Sequence, residues 1–167
     1  MRAAPEGSIM SRILEYLREP ETVTVFDIDG VLAPYEFGDL CHSACPDEDW
    51  KSHVLTKHPY AHIRPVPQLQ RFIEEKGADK VFACSVAEDY EEEGKRDFVV
   101  RSSGLAPEHV LFVRSKKEKV PALKELASSL GLPEKRVALV DDAVKTLDAV
   151  MEETDCTTVH VSSFFFC

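Results

Sequence analysis

A chain of 167 residues, 44% of them apolar and 30% charged, is long enough to bury a core without metal or disulfide staples, and its composition excludes a disordered polymer. Twenty Lys and Arg against thirty Asp and Glu leave a net charge of −10, which repels phosphate backbones and anionic lipid, so neither nucleic acid nor membrane is an expected partner. No apolar run approaches the ~20 residues of a bilayer span. Residues 1–20 lack the continuous apolar stretch of a secretion signal, and five scattered cysteines, an odd number, fit a reducing, cytoplasmic setting.

Residues 8–18 place Ile9, Ile13, Leu14 and Leu17 at helical spacing, and Glu19-Pro20 ends that helix. The β-branched run from Thr22 to Phe26 reads as a buried strand that stops at Asp27 and Gly30. From Ala33 to Ile63 the chain is polar, carries three prolines and shows no clean period. Regular alternation resumes at Pro65. A helix with Leu69, Phe72 and Ile73 inward runs to Gly77, followed by a strand from Lys80 to Ser85 and a helix ending near Gly104. A strand at 110–113 precedes a helix with Leu123, Leu126 and Leu130 on one face. A strand at 137–140 then leads to a short helix through Leu147 and Val150, and TTVHV is the last strand.

Strands alternating with helices of this length predict βαβ units: a Rossmann-like, three-layer α/β/α arrangement with a mostly parallel sheet. Ligands in such sheets bind outside the carboxyl ends of the strands. Three of the strands end in functional groups: Asp27 and Asp29, then Ser85, then Asp141 and Asp142. Any one of these alone is an ordinary cap or turn residue. Together they form a pattern. If the first and fourth strands are neighbours, the four carboxylates converge, and like charges that close require a counter-charge. Mg²⁺, with its preference for oxygen ligands, supplies one. The Ser85 hydroxyl suits a phosphate oxygen, and Lys116, Lys117 or Lys119 would balance the remaining charge.

FDIDGVL, FACS, the lysine-opened helix and VALVDD resemble the four motifs of the haloacid dehalogenase-like superfamily, over roughly residues 22–32 and 64–160. The resemblance implies a Mg²⁺-dependent phosphohydrolase of a phosphorylated small molecule or larger substrate. In it Asp27 is the nucleophile, Asp29 the general acid/base, and Ser85 the phosphoryl-binding hydroxyl, with Gly30 also on the substrate-binding side. Lys119 fits the third-motif lysine best, with Lys116 in reserve. Asp142 matches the usual metal ligand and Asp141 supports it, the metal set being Asp27, Asp29, Asp141 and Asp142. The presence of Asp29 favours phosphoryl transfer over carbon–halogen cleavage.

Residues 33–63 occupy the position of that superfamily's cap insert and are too few for a large helical cap, which leaves a small flap over the site. Cys41-x3-Cys45-x12-His58-x3-His62 matches the spacing of a two-Cys, two-His Zn²⁺ site, although Pro59 disfavours the helix that would present the two histidines. A metal-free flap with Tyr35, Phe37 and Trp50 packed on the core is the alternative. Tyr35 and Glu36 follow the first motif closely enough to face substrate. The acidic run from Glu88 to Glu93 reads as a solvated helix face, Cys84 as a buried small hydrophobe, and the SSFFFC end as either core or a contact between subunits. Monomer and homo-oligomer stay open. The competing functions are a phosphotransferase of the same superfamily, a non-catalytic binding or scaffold protein on the same fold, and a receiver-type phospho-switch.

Overall fold

The computed structural model describes residues 9–34 and 45–165. Five strands form one sheet: β1 (Val23–Phe26), β2 (Val81–Val86), β3 (Val110–Val113), β4 (Val137–Asp141) and β5 (Thr157–His160). Their order is β3-β2-β1-β4-β5 and every pairing is parallel. Helices α1 (Ile9–Arg18), α2 (Trp50–Lys57), α3 (Pro67–Lys76), α4 (Asp89–Ser103), α5 (Lys119–Ser129) and α6 (Val144–Glu153) complete the described secondary structure apart from short 3-10 turns. This is the three-layer α/β architecture that the alternation predicts.

The period-2 alternation of each strand divides its side chains between two cores. Phe26, Ala83, Ala138, Val140 and Val159 pack with Leu17, Leu69, Phe72, Ile73, Phe98 and Val99 from α1, α3 and α4. Val23, Val25, Phe82, Cys84, Val137 and Leu139 pack on the other face with Leu123, Leu126, Leu147 and Val150 from α5 and α6. A sheet covered on both faces needs near-continuous apolar strands, and β1 and β4 are buried along their whole length. Leu130 does not share the face of Leu123 and Leu126. Helix α5 ends at Ser129, so Leu130 falls past the last turn and is 41% exposed. Phe164 joins the first core against Phe26 and Phe72, at ring distances of 5.8 and 5.1 Å, while Phe165 is exposed. Cys84 is fully buried and burial pushes its thiol pKa up to about 12.

Residues 45–66, before α3, hold more regular structure than their lack of period suggests. They include α2 and a 3-10 turn at Pro59–Ala61. Val54 is the buried residue of α2, so no apolar stripe advertises that helix in the sequence. α2 stops at His58, whose left-handed backbone (φ 47°) lets Pro59 open the next turn. No helix among the described residues is long and apolar enough to cross a membrane.

Candidate active site

The parallel ladders place the functional residues at the central crevice. β1 lies between β2 and β4, with Phe26 level with Ala83 on one side and Val140 on the other. Asp27 extends this register through its N–H, which donates to the Val140 carbonyl at 2.9 Å. The chain then turns back tightly. Gly30 takes φ 80°, a left-handed conformation that a side chain would strain, while its N–H donates to Ala33 and that of Ala33 donates to Ile28.

Asp27, Asp141 and Asp142 each bring a carboxylate oxygen within 4.8 Å of the others. Asp141 is wholly buried, and its two oxygens are committed: Oδ1 accepts from the Ala143 N–H at 2.8 Å and Oδ2 from Lys119 Nζ at 2.7 Å. Lys119 Nζ also lies 3.1 Å from Asp27 Oδ2, and the Ile28 N–H donates to Asp27 Oδ1 at 2.8 Å. Of the three candidate lysines, Lys119 is therefore the one in the site, 1% exposed, whereas Lys116 and Lys117 are exposed.

Burial pushes the Asp27 carboxyl up to about 6; Lys119 opposes the rise, and the charges of Asp141 and Asp29 add to it. Burial and the neighbouring Asp141 likewise raise the Asp142 carboxyl from its ordinary value. Burial works against the Lys119 ammonium, but the two carboxylates it touches overcome this and hold its pKa above the ordinary lysine value. Lys119 touches two of the three carboxylates, and the third stands beside them, so buried positive charge falls short of negative. The donors are oxygens alone, which suits a hard divalent cation and not a thiolate- or imidazole-seeking one. The site fits Mg²⁺ on both counts.

Asp29 stands beside this group, and its carboxylate is engaged elsewhere. Oδ1 accepts from the Tyr60 hydroxyl at 2.7 Å and Oδ2 pairs with Lys95 Nζ at 2.8 Å. Of the four aspartates expected to meet a metal, the structure thus gathers the carboxylates of Asp27, Asp141 and Asp142 and sets that of Asp29 against two other side chains. Ser85 lies two residues past Ala83 on β2 and is 1% exposed, with its hydroxyl 3.4 Å from the Val86 carbonyl. Tyr35, with Glu36 and Phe37, lies outside the described residues.

Among the described residues the zinc spacing does not assemble a site. Cys41 lies outside the described residues, and Cys45, His58 and His62 form no group at ligand distance among those described. His58 and His62 flank the 3-10 turn Pro59–Ala61, so no α-helix presents the two together. Trp50 does pack against the core, as the flap reading has it.

Lys95, Glu91 and Tyr60 were not singled out by the sequence. Glu91 sits in the acidic run read as solvated, yet it is 7% exposed, because the run is a helix start and Glu91 faces inward. It closes a capping box with Glu88 and receives the Trp50 indole N–H at 2.9 Å. The available signal was the i,i+4 spacing of Glu91 and Lys95 one turn inside a capping box. His160, also without a predicted partner, reaches the Asp142 carbonyl through Nε2 at 3.2 Å and Ser162 Oγ through Nδ1 at 2.8 Å. His109 stacks on Phe82 with Nδ1 at 2.9 Å from the Val81 carbonyl. A groove of about 830 Å³, lined by Val54, Leu55, Tyr90, Phe98 and Arg101 among others, shares Tyr60 with the site.

No protein-family model matches the sequence, and no curated protein sequence matches it. Solved structures do. The structure of DsGPDH of Dunaliella salina superposes with a TM-score of 0.56 at 16% identity, covering 90% of this chain and 25% of that one. The chain thus spans a quarter of the length of that protein. A haloacid dehalogenase-like family hydrolase from Xanthomonas campestris superposes with a TM-score of 0.54 at 11% identity, covering 83% of this chain and 82% of the other. At these identities the likeness is one of fold. The chain has a Rossmann-like α/β fold that it shares with that hydrolase.

Proposed function

We propose that the protein is a phosphohydrolase that cleaves phosphomonoesters through an aspartyl-phosphate on Asp27. The observation that carries this reading is the meeting of Asp27, Asp141 and Asp142 within 4.8 Å, with Lys119 bridging Asp27 and Asp141, at the carboxyl ends of β1 and β4. The fold shared with a haloacid dehalogenase-like hydrolase supports it.

In this reading an Asp27 oxygen attacks phosphorus as the bond to the leaving oxygen breaks, and Asp29 gives that oxygen a proton. Asp29 then takes a proton from the water that attacks the acyl phosphate, the Asp27–phosphorus link breaks, and inorganic phosphate leaves. Lys119 neutralises charge on the transferring group from one side. Asp27 and Asp142 would hold Mg²⁺, with Asp141 behind them orienting Lys119. Bound there, Mg²⁺ supplies Lewis-acid stabilisation of the phosphoryl oxygens. The Ser85 hydroxyl would take a phosphoryl oxygen.

The test is hydrolysis of 4-nitrophenyl phosphate with and without Mg²⁺ by the wild type and by Asp27→Asn. Turnover that requires Mg²⁺ and vanishes in the variant supports the reading. Equal turnover by wild type and variant overturns it, as does its absence from both proteins across a panel of phosphometabolites.

A further inference from the structure

Lys95 is a buried cation that the proposed chemistry leaves without a role. Its side chain is 2% exposed. An ammonium has three protons to give, and Lys95 has three acceptors: the Val86 carbonyl at 2.7 Å, Asp29 Oδ2 at 2.8 Å and Glu91 Oε1 at 3.3 Å. Burying a charge is costly unless it is paired and hydrogen-bonded. A lysine with one carboxylate per turn of helix would satisfy that need through Glu91 alone. The contact with Asp29 adds something else: it ties helix α4 to the turn after β1.

Tyr60 ties a second element to the same carboxylate. It is 2% exposed and gives its hydroxyl proton to Asp29 Oδ1 at 2.7 Å. Its ring meets Trp50 edge-on at 6.4 Å and lies under Lys95 Nζ at 5.7 Å, and its carbonyl accepts from Arg101 at 3.0 Å. Trp50 in turn donates to Glu91, the partner of Lys95. The contacts close a ring: Asp29, Tyr60, Trp50, Glu91, Lys95 and back to Asp29.

We infer that Tyr60 and Lys95 are positioning residues for Asp29, fixing the plane of its carboxylate at the turn after β1; this rests on the reading of Asp29 as the proton-transfer group. A carboxylate on a two-torsion side chain rotates readily when only one oxygen is held. Donors on both oxygens, from separate elements, fix its plane. Proton transfer is sensitive to such placement, since an ångström of drift costs on the order of 100-fold. The insert accordingly contributes to the reaction through Tyr60.

The test separates this role from a merely structural one by leaving-group dependence. Phenyl, 4-nitrophenyl and 2,4-dinitrophenyl phosphates need progressively less proton donation as the leaving oxygen becomes less basic. Tyr60→Phe, which keeps the ring and removes the hydroxyl, is expected to lower kcat/KM for phenyl phosphate about 10-fold and for 2,4-dinitrophenyl phosphate less than about 2-fold. Asp29→Asn should show the same trend more strongly, and adding Tyr60→Phe to it should cost nothing further. Lys95→Met, checked for folding by its thermal melt, should follow Tyr60→Phe. A uniform loss across the three substrates, no loss at all, or full additivity with Asp29→Asn overturns the inference. Asp27→Asn run on the same series keeps the two readings apart: if it is inactive throughout, the phosphatase reading stands whatever Tyr60→Phe does, and if it is active, that reading fails first.

Discussion

Lys119 and Asp141 form an ion pair at 2.7 Å with the lysine 1% exposed and the aspartate fully buried. Lys119 opens α5 and Asp141 ends β4, so the pair locks the helix that follows β3 to the centre of the sheet. Lys95 does the same for α4 through Asp29. Two buried lysines thus divide the aspartates at the strand ends between them. Lys119 takes Asp27 and Asp141, Lys95 takes Asp29, and Asp142 is left on the open side of the crevice.

Removing Lys119 strands a charge. In Lys119→Met the Asp141 carboxylate keeps the Ala143 N–H but loses its counter-ion, and breaking a buried pair from one side costs about 3–5 kcal/mol. Activity should fall by roughly 100-fold or more, since the lysine also faces the nucleophile. The double variant Lys119→Met/Asp141→Asn should regain most of the stability in a denaturant melt, because the amide can still accept from Ala143, and regain none of the activity. Recovery of both would mean that Lys119 acts only through folding.

The strand-end aspartates could be read from the sequence because each ends a short apolar run whose burial dictates a strand, and parallel sheets bring such ends together. Lys119 could be narrowed to three candidates but not chosen, since the choice depends on where α5 begins. The ring around Asp29 was hidden for a different reason. Glu91 and Lys95 sit in a sequence of like and mixed charges that has the composition of a solvent face, and only the packing of α2 and the Pro59–Ala61 turn against α4 takes them out of water. That packing comes from a segment whose one buried helical residue, Val54, leaves no periodic mark.

Trp50→Phe tests that packing. The change removes the indole N–H from Glu91 Oε1 and leaves the edge-on ring contact with Tyr60 largely in place. A hydrogen bond to a charged acceptor contributes about 1.5–3 kcal/mol, and Glu91 retains Lys95 and the Glu88 N–H, so the lower end is expected. Chemical denaturation should show a loss of about 1–2 kcal/mol. Amide exchange should quicken in residues 50–61 while β1 and β4 stay protected. A loss shared evenly by the whole sheet would show that this segment unfolds only with the core.

Asp27 makes the stability depend on pH between about 4 and 6. Its carboxyl rises from 3.8 to about 6 in the folded chain, through burial first, with Lys119 opposing and the charges of Asp141 and Asp29 adding. A carboxyl whose folded pKa exceeds its unfolded one binds its proton more tightly when folded. Its favourable contribution is therefore complete below about pH 4 and is lost as pH rises through about 6. In the metal-free protein Asp27→Asn, which cannot ionise, should be more stable than the wild type at pH 7.5, by ~1–3 kcal/mol. The difference should shrink toward zero as pH falls to 4. Adding Mg²⁺ at pH 7.5 should narrow the gap from the other side, raising the melting temperature of the wild type more than that of the variant, because a cation between ionised carboxylates stabilises only the chain that has them. Melts at pH 4, 6 and 7.5, with and without Mg²⁺, read all three effects. A wild type more stable than Asp27→Asn at pH 7.5 without metal would mean that Lys119 outweighs burial and the neighbouring carboxylates, and that the cluster is already neutralised by the chain itself.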